Sequence, residues 1–65
     1  MQRQQVEALL PELMFVNAVL RKSKDREATL KRIVTSIDWE QVDEAGNNLD
    51  AVINAVRRGV QRMTQ

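Results

Sequence analysis

The sequence predicts an all-α protein, and three observations lead to this prediction. Apolar residues recur at spacings of three and four along the chain, which is the periodicity of amphipathic helices. No stretch alternates apolar and polar residues between turn dipeptides, as a half-buried strand would. Capping and charged residues stand where helix ends are expected. We therefore expect three helices, over approximately 2–22, 25–36 and 38–63, arranged as a helical hairpin followed by a long C-terminal helix.

A heptad seam predicts the first helix. Its positions, at spacings of 4, 3, 4 and 3 residues, are Val6, Leu10, Leu13, Asn17 and Leu20. Pro11 falls inside this pattern, and proline breaks or kinks a helix because it lacks an N–H and its ring clashes with the preceding turn. Since the seam keeps its phase through Pro11, we expect a kinked or two-piece helix that runs in one direction.

The second helix is short and amphipathic. Ser23 and Asp25 are both candidates for its N-cap, and Glu27 lies in the favourable first turn. One face carries Leu30, Ile33, Val34 and Ile37. The other carries Lys31 and Arg32.

The third helix begins at the best capping residue of the chain, Asp38, which has Gln41 at capping-box spacing. Its seam is Val42, Gly46, Leu49, Ile53, Val56, Val60 and Met63. Residues 46–48 allow two interpretations: a continuous helix in which Gly46 lets a neighbour approach closely, or a break after which Asn47 caps a fourth helix. We favour continuity, because a break would normally reset the phase of the seam.

The small size of the chain predicts self-association. A 65-residue chain without cysteine has a small core and no disulfide to stabilise it. The second helix is also too short to cover the third. We expect a homodimer or higher oligomer that completes its core as a helical bundle. The expected interface residues are Leu13, Val16, Asn17, Leu20, Leu49, Ile53, Val56, Val60 and Met63. Asn17 either specifies register there or, as we favour, lies at the edge of the seam in contact with water.

The composition argues against several function classes. Without cysteine, histidine or tyrosine the chain lacks thiol chemistry, the usual transition-metal ligand and the usual general base. Two scattered glycines do not make a phosphate-binding loop. We therefore predict no enzyme, and no catalytic residue, cofactor or metal site. The longest apolar run, 13–20, is far shorter than the roughly 20 residues that span a bilayer. We expect a complete cytoplasmic protein without a membrane partner.

Charge is distributed unevenly. Residues 21–32, here called the basic corner, hold six basic and two acidic residues, whereas 38–50 hold five acidic residues and no basic one. The candidate nucleic-acid contacts are Arg21, Lys22, Lys24 and Arg26, although a solvated surface is the simpler interpretation. The acidic spacing does not match a calcium loop, and capping and solubility explain most of it. Together the two segments make the molecule dipolar, which favours oriented docking or head-to-tail self-association. We expect Trp39 in the core rather than as an interface anchor.

These features favour a non-enzymatic protein–protein interaction module, such as an adaptor, inhibitor or assembly factor, that acts as a homo-oligomer. Its expected partners are itself and another protein. The alternative is a dimeric regulator that binds nucleic acid through the basic corner. A second alternative is a self-assembling structural subunit, which the dipolar charge would favour.

Overall fold

The computed structural model describes residues 1–64, which form five helices and no strand. The helices are α1 (Arg3–Leu9), α2 (Met14–Arg21), α3 (Arg26–Ser36), α4 (Trp39–Ala45) and α5 (Leu49–Thr64). A single 3-10 turn, Leu10–Glu12, joins α1 to α2. The all-α prediction is confirmed. The prediction of three helices is wrong, because the first and the third expected helices are each divided in two.

The division of the first expected helix follows from Pro11. Pro11 lies in the first turn of the 3-10 segment, where its missing N–H is not needed. Leu13 then takes an extended conformation, with φ −82° and ψ 130°, and precedes α2 as its N-cap residue. The side-chain amide of Asn17 donates a hydrogen bond to the carbonyl of Pro11. The two-piece form of the expected helix is therefore the one that occurs.

The division of the third expected helix occurs at Gly46, so the continuity that the seam favoured is wrong. Gly46 has φ 59° and ψ −121°, the dihedral angles of the first central residue in a type II′ turn. Asn48 N–H donates to the carbonyl of Ala45 across this turn, at 3.0 Å. The cap of α5 is Asn48, one residue later than the expected Asn47, because its Oδ1 accepts from Ala51 N–H at 3.3 Å.

The other two helix starts agree with the sequence. Asp25 is the N-cap of α3, where its carboxylate accepts from Ala28 N–H at 3.1 Å. Asp38 caps α4 by accepting from the N–H groups of Glu40 and Gln41, at 3.1 and 3.4 Å. Each cap satisfies helical N–H groups that have no partner within the helix.

The core is enclosed within the single chain and contains only apolar side chains among residues 1–64. Its members are Val6, Leu10, Val16, Leu20, Ile33, Ile37, Val42, Val52, Ala55, Val56 and Val60. The long helix α5 packs mainly against α4 and α3 of its own chain. The backbone of α5 lies close to residues 36 and 37 at Gly59, where a Cβ atom would lie 3.0 Å from Ile37 Cα and 3.0 Å from Ser36 O. Homodimerisation stays a prediction, but covering α5 does not require a second copy.

Candidate functional site

The basic corner is formed by the end of α2, the connection 22–25 and the first turns of α3. Hydroxyl groups hold the connection together. Ser23 Oγ donates to the carbonyl of Asp25 at 2.9 Å, accepts from Asp25 N–H at 3.2 Å, and forms a hydrogen bond with Thr29 Oγ1. The side chains around this turn are thus carried by a hydrogen-bonded connection between two helices.

The cations of the basic corner are exposed, and most of them have no acidic partner. Within residues 1–64, only Lys31 of this group has a carboxylate within 4.0 Å, that of Glu27 at 3.7 Å. The five cations without such a contact are Arg21, Lys22, Lys24, Arg26 and Arg32. The Lys31–Glu27 pair is itself well exposed and contributes little to stability. The corner therefore presents positive charge that, among the carboxylates of residues 1–64, only Glu27 contacts.

An open cleft of about 530 Å³ lies beside the basic corner, between α2, α3 and the end of α5. Ala18, Val19 and Met63 give the cleft an apolar lining, and Lys22 and Arg32 contribute cations to it. Hydroxyl groups complete the lining at Ser23, Thr29 and Thr64. We call this depression the basic cleft; it combines apolar surface with positive charge.

The positive surface extends further along α3 than the sequence indicated. A second depression shares Arg32 and Met63 with the basic cleft and adds Lys31 and Arg62. The Arg62 guanidinium donates to the carbonyl of Ser36 at 2.6 Å, which ties the end of α5 to the end of α3. Sequence reasoning left Arg62 out of the basic corner, because only the packing of α5 on α3 brings it there.

Both aromatic rings of the chain already have partners. Trp39 Nε1 donates to the carbonyl of Val34 at 3.0 Å, and the Arg3 guanidinium lies 4.5 Å from the centroid of its ring. The Phe15 ring is covered by Arg57 at 5.1 Å. Both side chains are half-buried against the core, so Trp39 lies at the margin of the core rather than within it. Neither ring is a free stacking platform.

A second group of charged side chains, here called the acidic patch, lies on α4 and in the first turn of α5. Its members are Glu40, Asp43, Glu44 and Asp50. All four are exposed, and within residues 1–64 none has a cation within 4.0 Å. The remaining carboxylate of this segment, Asp38, is engaged as the cap of α4. In the described part of the chain no three carboxylates come together as ligands for a metal ion.

The structure disperses the residues expected at the oligomer interface. Four of them lie in the core of the single chain and have no surface to offer a second copy: Val16, Leu20, Val56 and Val60. Four others, Leu13, Asn17, Ile53 and Met63, are half-buried, and Leu49 is exposed. Asn17 bonds to Pro11 in its own chain, a role that neither interpretation of it had included. The most exposed large apolar side chain, Met14, was absent from the expected set.

Within residues 1–64, no helix is both long enough and apolar enough to cross a bilayer. The charged and apolar surfaces described above are the features of the chain that bear on its function. Comparison of the chain with protein-family models, with curated proteins and with solved structures finds no match.

Proposed function

We propose that the chain is a non-enzymatic protein–protein interaction module that binds an acidic amphipathic helix of a partner protein in the basic cleft. The observation that carries this proposal is an apolar-lined depression beside the basic corner. Two cations that contact no carboxylate within residues 1–64, Lys22 and Arg32, line this depression. An amphipathic helix binds by placing its apolar face in such a groove. Carboxylates at the margin of that face would then meet Lys22 and Arg32.

The apolar lining favours a protein partner over nucleic acid. A phosphate backbone is bound mainly by cations and gains little from Ala18, Val19 or Met63. Proteins that bind single strands add aromatic side chains on which bases stack. Both aromatic rings here are occupied by arginine and packed against the core. Binding of nucleic acid by the basic corner is therefore the less favoured function, and the experiment described below distinguishes it from binding of a protein.

Charge also supports an acidic partner. The cations of the basic corner attract a negatively charged segment over several ångströms and raise its rate of encounter. Contact with apolar residues in the cleft then provides affinity that persists when salt screens the charges. The proposal retains action as a homo-oligomer and a cytoplasmic location, both expected from the sequence.

The test measures binding by fluorescence anisotropy with defined probes. The first probe is a labelled helical peptide with leucines along one face and glutamates elsewhere; the second is a scrambled peptide of the same composition. Labelled DNA duplex and single-stranded RNA complete the set. In 150 mM salt we expect the amphipathic peptide to bind at least about tenfold more tightly than the scrambled one, a difference of about 1.4 kcal/mol.

Two variants with the same change in charge locate the binding. Lys22→Glu with Arg32→Glu reverses two cations of the basic cleft and should abolish peptide binding. Arg57→Glu with Arg58→Glu makes the same change on a part of α5 outside the cleft and should preserve it. Circular dichroism must show that this control keeps its helices, because Arg57 covers Phe15 and Arg58 donates a hydrogen bond to Gln41. Equal binding of both peptides would contradict the proposal. If the chain instead binds nucleic acid in 150 mM salt and only the cleft variant loses this binding, the chain is the nucleic-acid-binding regulator of the alternative hypothesis.

A further inference from the structure

Each of the two charged surfaces has an exposed large apolar side chain beside it. Among residues 1–64, Met14 and Leu49 are the large hydrophobic residues left exposed, at 87% and 48% of their maximal areas. Met14 lines a small recess on α2 with Ala18 and Arg21, at the edge of the basic corner. Leu49 adjoins Asp50 of the acidic patch and begins α5. The positively charged and the negatively charged surface thus each have one exposed apolar side chain beside them.

The two surfaces are held apart within one molecule by α5. Met63 and Thr64, at the end of this helix, line the basic cleft, whereas Leu49 and Asp50 form its first turn beside the acidic patch. The rise from Leu49 to Thr64 is about 22 Å. This separation exceeds twice the Debye length of about 8 Å at physiological ionic strength. Charges near the two ends of α5 are therefore well screened from each other within one molecule.

We propose that the acidic patch of one copy docks on the basic corner of a second copy, head to tail, with Leu49 contacting the recess around Met14. Charge complementarity selects this occupant, since in residues 1–64 the patch offers four carboxylates without a cation within 4.0 Å to five cations without a carboxylate within 4.0 Å. This inference goes beyond the proposed function, because it needs no second protein species. Both use the basic corner, so an acidic partner helix would compete with self-association.

Head-to-tail contact has a definite structural consequence. Each copy uses two different surfaces, so the interface is heterologous and leaves one free surface of each kind at the ends of a dimer. Such contacts build an open chain of molecules, or a ring if the rotation between copies closes. A dimer in which both copies use the basic corner would bring like charges together and is disfavoured.

Analytical ultracentrifugation of the full chain tests this arrangement. From micromolar to millimolar protein in 20 mM salt, we expect the average mass to rise beyond that of a dimer. In 500 mM salt the association should weaken at least tenfold, because the charges are screened. Met14→Ser should weaken it several-fold at both salt concentrations without changing any charge.

Charge reversal provides the decisive comparison. The corner variant, Lys22→Glu with Arg32→Glu, and the patch variant, Asp43→Lys with Glu44→Lys, should each be monomeric alone. Their equimolar mixture should associate, since each supplies the surface that the other lacks. As a matched control, Glu7→Lys with Glu12→Lys should associate like the unmodified chain. Circular dichroism establishes that each variant retains its helices.

A monomer at millimolar concentration in 20 mM salt would overturn the inference, as would association that survives both reversals or a mixture that stays monomeric. If a reversed variant fails to fold, the salt dependence and Met14→Ser decide the matter, because neither relies on that variant. Peptide binding by a strictly monomeric chain would preserve the peptide-binding part of the proposed function while refuting self-docking and action as a homo-oligomer. Self-association without peptide binding would do the opposite.

Discussion

Gly46 and Gly59 differ in backbone conformation and in the space around their Cα atoms. Gly46 has a φ of 59°, a value that L-residues rarely adopt, but a Cβ atom there would meet nothing within 4 Å. Gly59 is an ordinary helical residue of α5, but a Cβ atom there would lie 3.0 Å from backbone atoms of Ser36 and Ile37. Glycine is therefore required for its conformation at one position and for its small size at the other.

The comparison shows that the two positions should respond to different properties of a substituting side chain. At Gly59 the loss of stability should grow with the volume of the new side chain. The atoms that it would meet belong to the backbone, which cannot move aside without shifting α3 or α4. At Gly46 the cost should depend on the chirality of the new residue and little on its volume.

The largest effect is expected at Gly59. Gly59→Leu should destabilise the protein by about 3 kcal/mol, because overpacking forces backbone shifts where α5 meets Ile37. Gly59→Ala should cost much less, since the gain of about 1 kcal/mol in helix propensity offsets part of the clash. Urea denaturation followed by circular dichroism measures both. Equal stability of the two variants would show that the contact at Gly59 is not tight.

The next effect is expected at Gly46. Gly46→Ala should cost about 1–3 kcal/mol, because an L-residue is strained at this positive φ. Gly46→Leu should cost nearly the same. The chain is short enough for chemical synthesis, so the control is d-alanine at position 46, which accepts positive φ and should stabilise by about 0.4–1 kcal/mol. Thermal melting compares the three forms; destabilisation by d-alanine would contradict the assigned turn.

The smallest effect is expected at the cap that follows the Gly46 turn. Asn48→Ala removes the side-chain acceptor of Ala51 N–H and should cost about 1 kcal/mol. Asn48→Asp keeps an acceptor and should preserve the stability. If Asn48→Ala lowers the stability as much as Gly46→Ala does, the cap of α5, and not the conformation of Gly46, is what maintains the break between α4 and α5. Denaturation in urea separates these cases.

Local signals explain the parts of the fold that the sequence predicts correctly. The helical period and the caps at Asp25 and Asp38 depend on residues close together in the chain. The break at Gly46 was missed because residues 52–56 include apolar side chains on two neighbouring faces. The predicted seam uses the face that carries Leu49 and Ile53. In the structure the neighbouring face, which carries Val52 and Ala55, is the buried one at this point of the helix. Val56 and Val60 of the expected seam are buried as well, so the phase of the seam alone does not reveal the break.

The candidate site was predictable in its charges and unpredictable in its shape. The cations of the basic corner are consecutive enough in sequence to be recognised together. The basic cleft also needs Met63 from the far end of the chain, which the packing at Gly59 brings beside α3. Met14 lies outside the expected seam, and the sequence gives no signal for its exposure because single exposed apolar residues are common.

The contact between Arg3 and the Trp39 ring has a practical consequence. Trp39 is the sole tryptophan of a chain without tyrosine, so the intrinsic ultraviolet emission of the protein comes essentially from one indole. That indole bears a guanidinium from α1 on its ring and bonds to α3 through its N–H. Detachment of α1 would uncover the ring, so the colour of the emission reports the docking of α1 without any added label.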